Sequence, residues 1–260
     1  MGKATREAYG NALARIGKEN TNIIVLDADL SKSTKTDTFK AVCPERFFNV
    51  GIAEQNLISV GAGLAAAGKI PFVSSFSMFA TGRAFEQIRN AVCYPKLNVK
   101  VCATHAGITV GEDGATHQSL EDISCMRTLP NMTVVVPADE RETEAVIEWA
   151  ASYNGPVYVR LGRAGVDDVT TEGYSFVPGK STILVDGSDA TIIACGALVG
   201  PAVEASKTLS KSNISARVIN MASIKPIDAE AIIKAAAETG AIVTAEEHNI
   251  IGGLGSAVSE

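Results

Sequence analysis

Short apolar runs rich in β-branched residues recur along this chain, separated by segments long enough for helices. That alternation limits the fold more than any other feature. NIIVLD (22–27), FFNV (47–50), IPFVSS (70–75), NVKVCAT (98–104), MTVVVP (132–137) and PVYVRL (156–161) read as strands. Helices are expected over 4–18, 52–67, 82–93 and 139–153. The last opens on PADERETE, with acids in its first turn where the helix dipole favours them. Strands apolar on both faces and alternating with helices predict a parallel sheet covered on both sides. The polar, turn-rich stretch 166–181 reads as a linker. Beyond it come strands at 190–197, 214–220 and 241–247 and helices over 200–211 and 228–238. The expectation is an α/β chain of two consecutive three-layer domains with mainly parallel sheets, 1–165 and 182–260. The second is small for its class at about 80 residues. It stops at GGLGSAVSE as if entering a helix, which reads as an incomplete domain.

Charge and cysteine usage narrow the function classes. A net charge of -6 argues against a general nucleic-acid or membrane surface, while leaving room for small anions held by a few local groups. The five cysteines are scattered and form no CxxC pair, as expected for a reducing, cytoplasmic setting. The start, MGKATREAYG, has no basic-then-apolar leader pattern, and Arg6 stands where a myristoylation signal wants Ser or Thr. No apolar run reaches the roughly 18 residues of a spanning helix.

Four stretches carry candidate chemistry. In FFNVGIAEQNLISVGAGLAAAG (47–68) the single acid Glu54 opens a glycine- and alanine-rich helix that carries no further charge until Lys69. The segment reads as buried, and a buried carboxylate needs a partner. Glu54 fits an ordinary first-turn acid, and equally a carboxyl meeting a ligand nitrogen in an apolar pocket. In THAGITVGEDGATHQ (104–118), His105 and His117 flank a glycine-rich turn with Glu112 and Asp113, just beyond a strand, where parallel sheets collect ligands. Imidazoles there move protons or donate to oxyanions, although one alone is as often a packing residue. No third ligand at metal spacing is present, and GEDG lacks the lysine of a phosphate loop. Phe76, Phe79 and Phe85 cluster in SSFSMFATGRAFEQIRN (74–90), as helix core or as a stacking platform for a flat heterocycle. The arginines of YVRLGR (158–163) fit a phosphate clamp or surface ion pairs.

Taken in order, KATRE, DADLSKST (27–34), NVGIAEQN (49–56), SFSMF (75–79), ATHAGITVGEDGATHQ (103–118), LPNMTVVVPAD (129–139) and RLGR (160–163) resemble the transketolase family over essentially the whole chain. The segment 103–118 is the most specific. The resemblance is to the C-terminal half of a transketolase: the pyrimidine-binding domain plus part of the C-terminal domain. In some organisms that half is a separate subunit, and a start at Met1 agrees with such a split.

The resemblance implies an enzyme that moves a two-carbon ketol unit between sugar phosphates, with thiamine diphosphate storing the fragment as an enamine. Glu54 then answers to the carboxyl that hydrogen-bonds the aminopyrimidine nitrogen. That contact favours the tautomer whose imino group deprotonates the thiazolium carbon. Phe79 and Phe76 would pack on the pyrimidine, and Asp29 and Leu30 match residues beside the cofactor. His117 and Asp113 would contact donor hydroxyls. His105, Arg163, Ser33 and Arg6 match the set that holds the substrate phosphate. Gly82 falls where many members place a third aromatic. The family's GDG motif with its downstream asparagine, which holds diphosphate and magnesium, has no counterpart here. A diphosphate-binding partner subunit supplying the magnesium ligands is therefore expected, with self-association of this chain and almost no activity alone. Deoxyxylulose-phosphate synthase, the beta subunit of 2-oxo acid dehydrogenases, and a non-catalytic partner-binding relic are the alternatives. The GEDGATHQ segment, with His117 in it and His105 just before it, favours sugar chemistry over the first two, and the retained ionisable residues argue against the third.

Overall fold

The computed structural model describes residues 2–260. Two sheets organise the chain. The first has seven strands: β1 (Ile23–Asp27), β2 (Phe47–Asn49), β3 (Ile70–Ser74), β4 (Lys100–Ala103), β5 (Thr133–Val135), β6 (Val157–Arg160) and β10 (Ser223–Lys225), in the order β10-β5-β6-β4-β3-β1-β2. The second has four: β7 (Thr182–Val185), β8 (Ala190–Ala194), β9 (Ala216–Asn220) and β11 (Ile242–Ala245), in the order β11-β8-β9-β7. All pairings are parallel except β10 with β5 and β7 with β9. The expected mainly parallel α/β architecture is what forms.

Apolar strands demand cover on both faces. On one face of the first sheet, α1 (Thr5–Glu19) and α7 (Glu140–Ser152) bury Tyr9, Leu13, Val146 and Ile147 against β1, β3 and β6. The short α2 (Ser31–Thr34) and α3 (Asp37–Val42) extend that layer, and Phe39 of α3 joins its core. On the other face lie α4 (Glu54–Ala66), the single turn α5 (Phe85–Gln87) and α6 (Asp122–Thr128). The second sheet carries α8 (Val199–Ser210), α9 (Ala229–Thr239) and α10 (Leu254–Ser259).

The two sheets are not independent. β10 belongs to the C-terminal part of the chain yet pairs antiparallel with β5, and Ile193, Ile219, Met221 and Leu254 share one apolar cluster with Met126, Leu129, Val134 and Val136. The stretch read as a linker is irregular but anchored. Phe176 is buried edge-on against Trp149, and the Tyr174 hydroxyl donates to Glu142 at 2.6 Å.

Three expectations need correction. The segment 82–93 is not one helix: π-helical turns at Met78–Arg83 and Ile88–Cys93 flank α5. Helix α4 is not wholly buried either. Glu54, Leu57, Ile58, Gly61 and Ala62 face the core, while Gln55, Asn56, Ser59, Val60 and Gly63 are exposed. Its scarcity of charge therefore does not mean burial on all sides. Arg160 is neither a phosphate clamp nor a surface pair. It is buried and donates from Nε to Asp122 Oδ2 at 2.7 Å and from Nη2 to Oδ1 at 3.2 Å.

Candidate active site

The carboxyl ends of adjacent strands bring the candidate residues to one edge. Along the order β6-β4-β3-β1-β2 these ends deliver Arg163, His105, Phe76 with Phe79, Asp29 with Leu30, and, beyond β2, Glu54. That edge is where parallel sheets present ligand sites, because the connections leaving it diverge and leave a crevice.

Aromatic rings cluster at this edge. Phe76 stacks on His105 with centroids 3.8 Å apart, and Phe79 lies 5.9 Å from Phe76 at an interplanar angle of 19°. His117 meets Phe79 edge-on at 5.1 Å, so both histidines of the 104–118 segment join the phenylalanines. Phe79 lies in the π-helical turn Met78–Arg83, a wider turn than an α-helix makes.

Glu54 sits at the first position of α4 with only 6% of its side chain exposed, and accepts a hydrogen bond from Arg83 at 3.2 Å. The same guanidinium lies over the Phe79 ring, 4.1 Å from its centroid. Glu54 and Arg83, with Ile52, Ala53, Gln55 and Asn56, line an open cleft of about 610 Å³. Sequence reasoning missed Arg83. It stands four residues after Phe79, the spacing at which helical side chains meet, and that spacing was the available signal.

The anion-binding candidates form a second group. Arg6 donates to the Ser33 carbonyl oxygen at 2.9 Å and contacts His105 Nε2 at 3.3 Å. Ser33 thus enters through its backbone rather than its hydroxyl. Since a guanidinium only donates, Nε2 must accept, and the His105 proton sits on Nδ1, 2.8 Å from the Thr104 hydroxyl. Burial, with the Arg6 charge adding to it, pushes the His105 imidazole down to about 4. His105 is therefore neutral with both nitrogens engaged, and orients Arg6 rather than serving as a free acid. Arg163 holds the turn: it donates to the Val110 carbonyl and to Glu112 Oε1 at 2.9 Å, with Asp113 Oδ2 4.0 Å away. Burial lowers the Arg6 guanidinium from its ordinary value and the Arg163 charge lowers it further, a repulsion that an anion between the two would relieve.

Asp27 supports the β1 end without reaching the cleft. Its carboxylate accepts from the Leu30 amide at 2.6 Å and from the Thr34 and Thr36 hydroxyls at 2.7 and 2.9 Å. This fixes the turn in which Asp29 takes a left-handed φ of 66° and accepts from Asn49 at 2.8 Å. Among the described residues no group of three His, Cys, Asp or Glu side chains is placed to hold a metal, and no helix is long and apolar enough to cross a membrane.

Fold and site together define a class: an α/β protein with a candidate ligand site on the carboxyl edge of a parallel sheet, where aromatic rings, a buried carboxylate and three guanidiniums meet. Within that class the chain belongs to the transketolase family. Residues 1–167 match the transketolase pyrimidine-binding domain and residues 179–260 the transketolase C-terminal domain. It is 55% identical over 260 residues to a putative transketolase C-terminal section of Methanocaldococcus jannaschii, covering 99% of this chain and 81% of that protein. It is 42% identical over 258 residues to an apulose-4-phosphate transketolase subunit of Phocaeicola vulgatus, covering 99% and 83%. A solved split-gene transketolase, described as an inactive beta4 tetramer, superposes with a TM-score of 0.93 at 59% identity, over 100% of this chain and 85% of that one.

Proposed function

We propose that this chain is one subunit of a split transketolase. It transfers a two-carbon ketol unit between sugar phosphates, uses thiamine diphosphate, and relies on a second chain for the diphosphate- and magnesium-binding half. Two relatives, one a C-terminal section and the other one subunit of its enzyme, support the need for that second chain.

The observation that carries this reading is the buried Glu54 carboxylate, joined to the Phe79 shelf by one flat group. The Arg83 guanidinium is planar, bears N–H donors, rests on the ring and donates to the carboxylate. A flat nitrogen heterocycle meets the same two surfaces, so the residues present fit an aminopyrimidine. When bound, the cofactor supplies the carbon nucleophile that carries the two-carbon fragment. Glu54 holds the hydrogen bond at the ring nitrogen from the dry end of α4. Phe76 and Phe79 exclude water from one ring face, and Asp29 and Leu30 line the neighbouring strand end. His117 and Asp113 orient sugar hydroxyls. Arg6 and Arg163, braced by His105 and the Ser33 carbonyl, hold the substrate phosphate.

A coupled assay with the diphosphate-binding partner, thiamine diphosphate, magnesium and a ketose phosphate tests the reading. Wild-type complex turns over, and Glu54→Ala loses at least roughly a hundredfold in kcat while still assembling. Undiminished turnover by the Glu54→Ala complex sinks the proposal.

A further inference from the structure

We infer that Glu247, at the exit of β11 in the second sheet, is a positioning residue for the 107–118 loop of the candidate site. Its carboxylate, 8% exposed as part of the residue, accepts from the Thr109 amide at 2.7 Å. That amide lies one residue into the 3-10 turn Ile108–Val110, from which the chain runs on to Asp113 and His117. Gly107 makes the approach possible. A Cβ there would lie 2.4 Å from Glu247 Oε2, and the residue's φ of +85° disfavours any side chain.

The grip extends to both ends of the loop. The entry and exit are tied to each other, since the Gly107 amide donates to the Ser119 carbonyl at 3.0 Å. On the exit side the Asn249 amide and side chain both donate to the Leu120 carbonyl, at 2.9 and 2.8 Å. Arg160 joins the two parts, donating from Nη2 to the Glu247 carbonyl at 2.8 Å and to the Ser119 carbonyl at 3.2 Å. Beyond that anchor the loop is held by the Arg163 bond to the Val110 carbonyl, by the edge-on contact of His117 with Phe79, and by the exposed Arg163 pairs with Glu112 and Asp113, which are worth little in water. The β11 exit thus supplies a buried polar anchor for the loop that carries Asp113 and His117. This assigns the second sheet a role at a site built from the first. A buried charge-assisted bond to a backbone amide is shorter and stronger than a neutral one, so the carboxylate holds the Thr109 amide more firmly than a neutral acceptor would.

Two arms test the inference. Amide hydrogen exchange on the full chain, for wild type, Glu247→Ala and Glu247→Gln, needs no turnover. Glu247→Ala is expected to lose protection roughly tenfold at residues 107–118 with the strand amides of β3, β4 and β6 unchanged. Glu247→Gln keeps an acceptor oxygen and restores it. Loss spread equally over strands and loop, or no loss at all, overturns the inference. The second arm rests on the proposed function and uses the complex with its partner. Glu247→Ala raises the donor-sugar KM about tenfold with a smaller change in kcat, because the donor-orienting groups are misplaced. An unchanged KM in an active Glu247→Ala complex overturns it as well. A wild-type complex inactive on every sugar phosphate defeats the proposed function instead, and the exchange arm still decides the role of Glu247.

Discussion

The Arg83 guanidinium donates to the buried Glu54 carboxylate across 3.2 Å, from a side chain that is itself 55% exposed. An acid at the mouth of an apolar helix is costly without a partner, and Arg83 provides one in the chain as it stands. The pair and the Phe79 stack are both solvent-accessible, and together hold Arg83 by about 1 kcal/mol.

In the proposed reading Arg83 occupies the surface of the aminopyrimidine, and cofactor binding would displace it. Arg83→Ala in the assembled complex is therefore expected to bind thiamine diphosphate roughly fivefold more tightly, the fold-change that about 1 kcal/mol represents. Calorimetric titration with and without the substitution measures it. Weaker binding by Arg83→Ala would show instead that the guanidinium is a cofactor contact.

The His105 imidazole sets an acid limit on stability. Burial, reinforced by Arg6, lowers it to about 4, against about 6.5 in an unfolded chain. Between these values the unfolded state binds the extra proton, so stability falls as pH drops from about 6.5 to about 4. Burial raises the carboxyls of Asp27 and Glu142, which act in the opposite sense, so the wild-type slope alone is a mixture. His105→Asn tolerates the left-handed φ of 60° at this position and removes the titration. The expected outcome is a flatter dependence of Tm on pH over that window in the variant; parallel curves would show that the ring is free to protonate in place.

Asp27→Asn tests the support beneath Asp29 and Leu30. The carboxylate accepts three donors, and an amide turns one of its two acceptor oxygens into a donor facing either the Leu30 amide or the threonine hydroxyls. Leaving a buried donor unsatisfied costs about 1–3 kcal/mol. Urea unfolding should show that loss as a lower midpoint with an unchanged slope. Because the turn also carries Ser33, whose carbonyl holds Arg6, the KM for a phosphorylated sugar should rise more than for its unphosphorylated counterpart.

Much of the architecture was legible because it rests on local pattern. Apolar β-branched runs such as VVV at 134–136 have few uses other than a covered strand, and a glycine-rich turn between two histidines marks a strand end. What escaped reading depends on packing between distant segments. β10 is only Ser223–Lys225, three residues that are too few to carry a pattern, and its pairing follows from how the second sheet docks. The break in 82–93 leaves no glycine or proline signature at its second π turn. Arg83 carries the look of any exposed helical charge apart from its four-residue spacing from Phe79, and its contact with Glu54 comes from a distant helix. Arg160 shows the same limit. An arginine closing a strand reads alike whether solvent or an aspartate waits beyond it.

The Asp122–Arg160 pair is where that last distinction has the largest energetic consequence. Burial drives the Asp122 carboxyl up, but the Arg160 guanidinium and the Tyr158 hydroxyl outweigh it and hold the group below its ordinary value. Tyr158 donates to Asp122 Oδ2 at 2.6 Å, and Arg160 reaches on to the Ser119 and Glu247 carbonyls. Asp122→Leu leaves a cation buried among carbonyls alone, for a cost of about 3–5 kcal/mol. Arg160→Met strands the opposite charge at a similar cost. The double variant Asp122→Leu with Arg160→Met buries no unpaired charge, so its loss should fall well short of the sum of the two single losses, a coupling of about 1–3 kcal/mol. Guanidinium unfolding of the four proteins measures this cycle. Additive losses would mean that each charge is satisfied by its other partners, the Ser119 and Glu247 carbonyls for Arg160 and the Tyr158 hydroxyl for Asp122, and not by the ion pair itself.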